Sequence, residues 1–249
     1  MIVLGLDSAT SATVAGLLLD DGRVSQARED AVPGERPAHA TRLLALAAGL
    51  LQRAGLSWAG VQRIAVGTGP GSFTGLRIGV ACARGLAQSL EVQVTGVSTL
   101  RALAEGAALA QAQVGVRLRP VLAVLDARRG EVYCGGWVQA RELVGTRAVA
   151  PEQLGEVLRS VVAPEQLGGV LRSADTPAWL AVGDGAIRFR AHLDRAGAEV
   201  PDDASPLHQV SGGVLCRLAA AGPGAAPEAV LPDYRRSPDA RVPRQMSRS

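Results

Sequence analysis

The stretch Gly67-Thr-Gly-Pro-Gly-Ser-Phe-Thr-Gly-Leu-Arg77 constrains the fold more than any other part of the chain. It lies between an apolar, strand-like run at 62–66 and a helix-like run at 74–90. A strand that turns directly into a helix belongs to a layered α/β sheet rather than to a bundle or a sandwich. Glycines permit positive φ and close approach of backbone, and the unpaired first amides of the following helix can hold an anion. The stretch lacks the Gly-Lys-Ser/Thr of a Walker loop and does not match the dinucleotide fingerprint. Spacing alone leaves a tight turn and a phosphate cradle both open.

The flanking sequence extends this unit into a mixed sheet. Ile2 to Leu6 and Thr13 to Leu19 are apolar runs separated from Val24–Val32 by the turn Asp20-Asp21-Gly22, which predicts an antiparallel meander. His39 to Ala54 predicts a helix ended by Gly55. Val92 to Val97 predicts a strand, and Ser98 a cap for a helix reaching Ala112. The pattern then restarts: Val121–Asp126 echoes Ile2–Asp7, and Glu131–Val138 follows as a strand. Trp179–Val182 runs into Gly183-Asp184-Gly185, and Leu207–Ala221 predicts a last helix. A tandem duplication covers 149–161 and 162–174, and from Gly222 onward Pro, Gly and Arg dominate. We expect that tail to be poorly ordered, as a solvated end or as an RNA-contacting arm.

Composition narrows the chemistry. The net charge is +3, and all 26 basic residues are arginine, so Walker-type and Schiff-base lysines are absent. Cys82, Cys134 and Cys216 are far apart, as are His39, His192 and His208, and no pair has zinc-motif spacing. No metal site is expected. No run reaches the roughly 18 apolar residues of a membrane span, and Met1–Asp7 has no basic leader, so a cytoplasmic location without membrane attachment is expected.

Two sets of residues invite a functional reading. Asp7, Ser8 and Thr10, together with Gly69, Gly71, Ser72, Thr74 and Gly75, form a candidate nucleotide or anion loop. The alternative for Asp7 and Ser8 is turn chemistry, with side chains bonding nearby amides. Leu43 to Leu51 is apolar on every face, and the next helix repeats this from Ile78 to Ala83. A helix on its own sheet needs one apolar stripe. The second side would then meet another protein through Leu43, Leu46, Leu50, Gly75, Leu76, Gly79, Val80 and Ala83. Cover by the chain's own third and last helices is the alternative.

Gly-Pro-Gly-Ser-Phe-Thr-Gly-Leu-Arg at 69–77 resembles the signature segment of the TsaB (YeaZ) family. The run 39–51, Gly96–Leu100, Leu125–Tyr133, Gly183–Gly185 and Pro232–Arg235 follow in the family's order. The resemblance implies a two-lobed actin-like ATPase (ribonuclease-H-like) fold with mixed sheets flanked by helices. One lobe would hold 1–103 and 207–222, a smaller one 104–206 with the duplication at 149–174, followed by the tail at 223–249. It also implies a non-catalytic subunit that pairs with its relative TsaD, and with the ATPase TsaE, to place threonylcarbamoyl on the adenosine beside the anticodon of tRNA. Alone, such a chain is expected to form a homodimer. ATP and metal are expected in TsaD and TsaE, and no cofactor here.

The resemblance to TsaD carries one departure. Thr99 and Leu103 stand where TsaD has its metal-binding His-x-x-x-His. Leu103 cannot coordinate a metal, and Thr99 is a poor ligand for one. The competing expectation is an autonomous kinase-like ATPase using Asp7, Thr10 and the 67–75 loop. A metalloprotease has less behind it.

Overall fold

Continuous apolar runs with Leu, Ile and Val on both sides of the pleat suit strands covered on two faces. The computed structural model describes residues 1–32, 37–116, 118–160 and 178–235 and contains two such sheets. The first is built from β1 (Val3–Asp7), β2 (Thr13–Leu18), β3 (Val24–Glu29), β4 (Arg63–Gly69) and β5 (Gln93–Ser98), in the order β3-β2-β1-β4-β5. β1 pairs antiparallel with β2 and parallel with β4. The second is built from β6 (Val121–Arg128), β7 (Glu131–Val138), β8 (Arg141–Val149) and β9 (Leu180–Val182), in the order β8-β7-β6-β9. β6 pairs antiparallel with β7 and parallel with β9. The echo of Ile2–Asp7 in Val121–Asp126 is therefore an echo of topology, each run being the pivot strand of its sheet.

Alternation along the strands separates the two faces of the first sheet. Leu4, Leu6, Ile64, Val66 and Val94 share a core with α1 (His39–Arg53) and α2 (Phe73–Leu90). Val3, Ala65 and Val97 face the other way, toward α7 (Gly212–Ala221). α3 (Thr99–Gln113) buries Leu100, Leu103, Ala104 and Ala107 against Val121, Ala123 and Leu125 of β6, and Ala102 against the first sheet. It thus lies between the two sheets. The opposite face of the second sheet carries α4 (Leu154–Arg159), α5 (Asp184–Arg188) and α6 (Arg190–Arg195).

Local chemistry sets the helix starts. The Ser72, Ser98 and Ser211 hydroxyl oxygens accept the amides of Gly75, Arg101 and Val214 at the starts of α2, α3 and α7. The last helix begins at Gly212 rather than at Leu207, where the sequence pattern places it. Pro206–His208 forms a separate 3₁₀ turn, and the His208 ring is held by the Gly183 amide (3.0 Å) and the Pro201 carbonyl (3.2 Å). β8 and the short helices α5 and α6 had no counterpart in the pattern reading. The first copy of the duplication supplies a 3₁₀ turn at Pro151–Gln153 and then α4. The second copy lies outside the described residues, as do Arg236, Arg241, Arg244 and Arg248 of the tail.

The edge strands β5 and β9 are each bridged at one residue by a later segment. Val94 of β5 exchanges both backbone hydrogen bonds with Ala225 (3.0 and 2.8 Å), and Leu180 of β9 is bridged by Glu199.

Candidate functional site: a cleft between the sheets

The turns leaving the pivot strands face each other across a cleft of about 800 Å³. Its walls are the β1–β2 turn (Ala9, Thr10, Ser11), the start of α2 (Gly71, Ser72, Phe73, Thr74) and the β6–β7 turn (Asp126, Arg128, Arg129). Leu76, Leu125, Ala127, Tyr133, Asp184 and the segment Asp233–Arg235 complete it. Thr10, Gly71, Ser72 and Thr74 of the expected loop are brought together there.

Asp7 and Ser8 are not in the cleft wall. Asp7 is fully buried. Its Oδ1 accepts the Ala9 amide (2.9 Å), and its Oδ2 accepts the Thr99 hydroxyl (3.0 Å). Burial raises its pKa from the ordinary 3.8 to about 6, against the lowering effect of those two hydrogen bonds and of Arg28. Ser8 donates its hydroxyl to the Gly75 carbonyl (2.8 Å). For Asp7 the turn reading holds in this structure, whereas Ser8 bonds no nearby amide and instead ties the turn to the start of α2. The matching Asp126 uses the same device, its Oδ1 accepting the Arg128 amide (2.8 Å), while its Oδ2 pairs with Arg188 (2.6 Å). Asp184 is exposed at the cleft and accepts the Asp126 amide (3.0 Å). Among the described residues, no group of three His, Cys, Asp or Glu could hold a metal ion.

Thr99 and Leu103 are both sealed in the interior. Thr99 is committed to Asp7, and Leu103 to the α3–β6 core. His39, at the start of α1, meets the Thr13 hydroxyl at 2.8 Å, and burial lowers its pKa, which favours the neutral ring.

The expected partner face needs a correction. Leu43, Leu50, Gly75, Leu76, Gly79, Val80 and Ala83 are buried within this chain, and Leu46 is half-buried. The small residues of α2 do not smooth an outer surface. A Cβ on Gly75 would lie 1.9 Å from the Ser8 carbonyl oxygen, and one on Gly79 2.6 Å from the Ser8 hydroxyl, so they seat the helix on the β1–β2 turn. The apolar residues of α1 and α2 left outward are Ala40, Leu44 (39 % exposed), Ala45, Ala48, Phe73 and Ala81. α3 and α7 do not cover them, because both lie across the opposite face of the sheet.

The fold compares closely with two solved structures from Pseudomonas aeruginosa. One is described as an uncharacterized protein with similarity to peptidase YEAZ (TM-score 0.72, 32 % identity, 94 % of this chain and 99 % of that one). The other is YeaZ (TM-score 0.71, 30 % identity, the same coverage). The chain belongs to the TsaB (YeaZ) family. A family model described as TsaD, tRNA N6-adenosine threonylcarbamoyltransferase, matches residues 34–172 of this TsaB-family chain. Escherichia coli TsaB, named a tRNA threonylcarbamoyladenosine biosynthesis protein, is 41 % identical over 133 residues, covering 53 % of each chain. Haemophilus influenzae TsaB is 34 % identical, covering 61 % of this chain and 66 % of that protein. The match thus spans about half to two thirds of these curated TsaB proteins.

Pattern reasoning missed Arg128, Arg129, Tyr133 and Tyr234 as cleft residues. The signal available was the Arg-Arg-Gly turn after the second pivot strand, together with the Asp-Tyr-Arg at 233–235.

Proposed function

We propose that this chain is a non-catalytic subunit for tRNA threonylcarbamoyladenosine synthesis. It would pair with TsaD, act with TsaE, and reach tRNA through that complex in the cytoplasm. The names of its curated relatives support the pathway. One observation carries the non-catalytic reading. Thr99, where the resemblance to TsaD puts a metal ligand, donates its hydroxyl to a buried Asp7, and Leu103 is enclosed by apolar side chains. Neither group is free to bind a metal, and the transfer chemistry falls to TsaD. The kinase-like reading loses support for the same reason, since Asp7 is sealed from the cleft.

The outward faces of α1 and α2 are the surface offered to TsaD, and to a second copy when the chain is alone. Leu44, Ala45, Ala48 and Ala81 give it small, apolar relief. Reconstituting tRNA modification with TsaD and TsaE, with and without this chain, tests the proposal. Product should depend on the chain. Equal yield without it would overturn the reading. Leu44→Arg with Ala48→Glu should abolish co-elution with TsaD while the melting temperature stays put, because both side chains are exposed. Retained co-elution would remove this surface from the proposal.

A further inference from the structure

The two sheets are joined on one side by α3. Its Ala102 packs on the first sheet, and its Leu100, Leu103 and Ala104 pack on the second. Arg101 adds a polar tie, its Nη1 donating to the Gln139 carbonyl in the turn after β7 (2.7 Å). None of these residues lines the cleft. The segment Asp233–Arg235 does line it, and makes a second join from the cleft side.

This segment is fixed to the first sheet step by step. Val230, just before it, belongs to the core under α1 and α2. The Asp233 amide donates to the Thr68 carbonyl (2.7 Å). The Tyr234 ring lies against Phe73, with centroids 5.1 Å apart, and its hydroxyl accepts Arg77 Nε (3.2 Å). Arg235 then reaches across. The Asp233 carboxylate accepts its Nε (2.8 Å), and its Nη1 donates to the Thr146 carbonyl of β8 (3.3 Å). β8 is irregular at that point: its pairing with β7 passes from Cys134–Arg147 to Gly136–Val144, so that Gly145 and Thr146 together face Gly135. Such a bulge takes backbone groups out of the ladder and re-aims them. The Gly145 carbonyl accepts Arg147 of the same strand (3.2 Å). One of the two bulge carbonyls is thus satisfied within β8, and the other by a residue anchored on the first sheet.

We propose that Asp233–Arg235 is a latch that sets the spacing of the two sheets across the cleft, with α3 as the hinge. The anchored side combines core packing, a backbone bond and a ring stack. The crossing made by Arg235 is one guanidinium–carbonyl bond, on a side chain that is 43 % exposed. One exposed hydrogen bond shifts an equilibrium about two- to tenfold. The latch therefore biases the chain toward the closed spacing without freezing it there. It is a property of the isolated chain and stands independently of the pairing with TsaD.

Double electron–electron resonance on the full chain tests this. Spin labels at Ser11→Cys, in the β1–β2 turn, and at Glu152→Cys, just after β8, report the width of the cleft from two exposed positions. Cys82→Ser removes the half-buried thiol and leaves the buried Cys134 and Cys216. Labelled chain is diluted into unlabelled chain, so that the distances lie within one molecule. The parent should give one dominant distance. Arg235→Ala should raise the population at longer distance about two- to tenfold. Tyr234→Ala, which removes the stacked anchor, should do the same. Arg147→Ala, whose bond stays within β8, should match the parent. Unchanged melting temperatures show that the fold survives, since all three side chains are exposed. A parent-like distribution in Arg235→Ala overturns the proposal, as does an equal widening in Arg147→Ala. A parent-like Tyr234→Ala overturns the anchoring role of the ring.

Discussion

Replacing the fully buried Asp7 by Asn should make the protein more stable at neutral pH, and the gain can be worked from the linkage of ionisation to folding. Unfolded, this carboxyl titrates near 3.8; folded, it titrates near 6. The folded state therefore holds its proton over a window in which the unfolded state has released it. The carboxyl costs nothing below about pH 4, destabilises progressively as pH rises to about 6, and costs a constant amount above that. Each unit corresponds to about 1.4 kcal/mol, so the full shift is worth about 3 kcal/mol as an upper figure. Asparagine keeps the acceptor for the Ala9 amide and offers Thr99 a donor, so the hydroxyl only reverses its role. Urea unfolding at pH 4, 6 and 8 measures the difference. Asp7→Asn should match the parent at pH 4 and exceed it by about 1–3 kcal/mol at pH 8, or roughly 2–4 °C of melting temperature per kcal/mol. A variant less stable than the parent at pH 8, or a difference that does not change with pH, would refute the assignment of burial as the dominant influence on Asp7.

Other expectations follow from the packing. Gly75→Ala should destabilise by about 3 kcal/mol or more, because the added methyl meets the Ser8 carbonyl oxygen; a normal melting temperature with lost TsaD binding would restore Gly75 to the outer surface. His208→Ala leaves the Gly183 amide and the Pro201 carbonyl without the ring and should cost about 1–3 kcal/mol, read by chemical denaturation. Burial pushes Cys134 up to about 11 and Cys216 up to about 12, so mass mapping after brief alkylation at pH 8 should find the label on half-buried Cys82 first. Rapid labelling of Cys216 in the folded protein would contradict its enclosure.

Much of the first sheet was legible because its signals are local. Serine caps, the glycine run and continuous apolar strands each act within a few residues, and β1, β2, α1, α2 and α3 start where those signals stand. The glycine run also encodes tight packing: a Cβ at Gly67 would lie 1.8 Å from Asp7 Oδ2. β8 was not legible, because its outward edge carries Arg141, Glu142 and Arg147 and only Val144 among its residues is buried, which blurs the alternation. α5 and α6 are five and six residues long, too short for a periodic stripe to register. Apolarity identified α1 and α2 as helices with two apolar sides but could not say which side faces the sheet. Burial assigns Leu43, Leu50 and Val80 inward and Leu44 outward. The cleft was half visible. Hydroxyls near the glycine run are adjacent in sequence, whereas Tyr133 and Tyr234 arrive from the second sheet and the C-terminal segment, some 60 and 160 residues beyond Phe73.

The single bridges at Ala225 and Glu199 have a consequence for how copies of this chain can meet. An uncovered strand is a template for another molecule's backbone. Here the edge strands β5 and β9 are each bridged at one residue by the chain's own later segments, and the other two edge strands, β3 and β8, carry Arg28 and Glu29, and Arg141 and Glu142. Sheet-to-sheet extension is discouraged at all four margins. Association is left to surfaces made of side chains, where the choice of neighbour depends on shape and charge rather than on the indiscriminate hydrogen bonding of a bare strand.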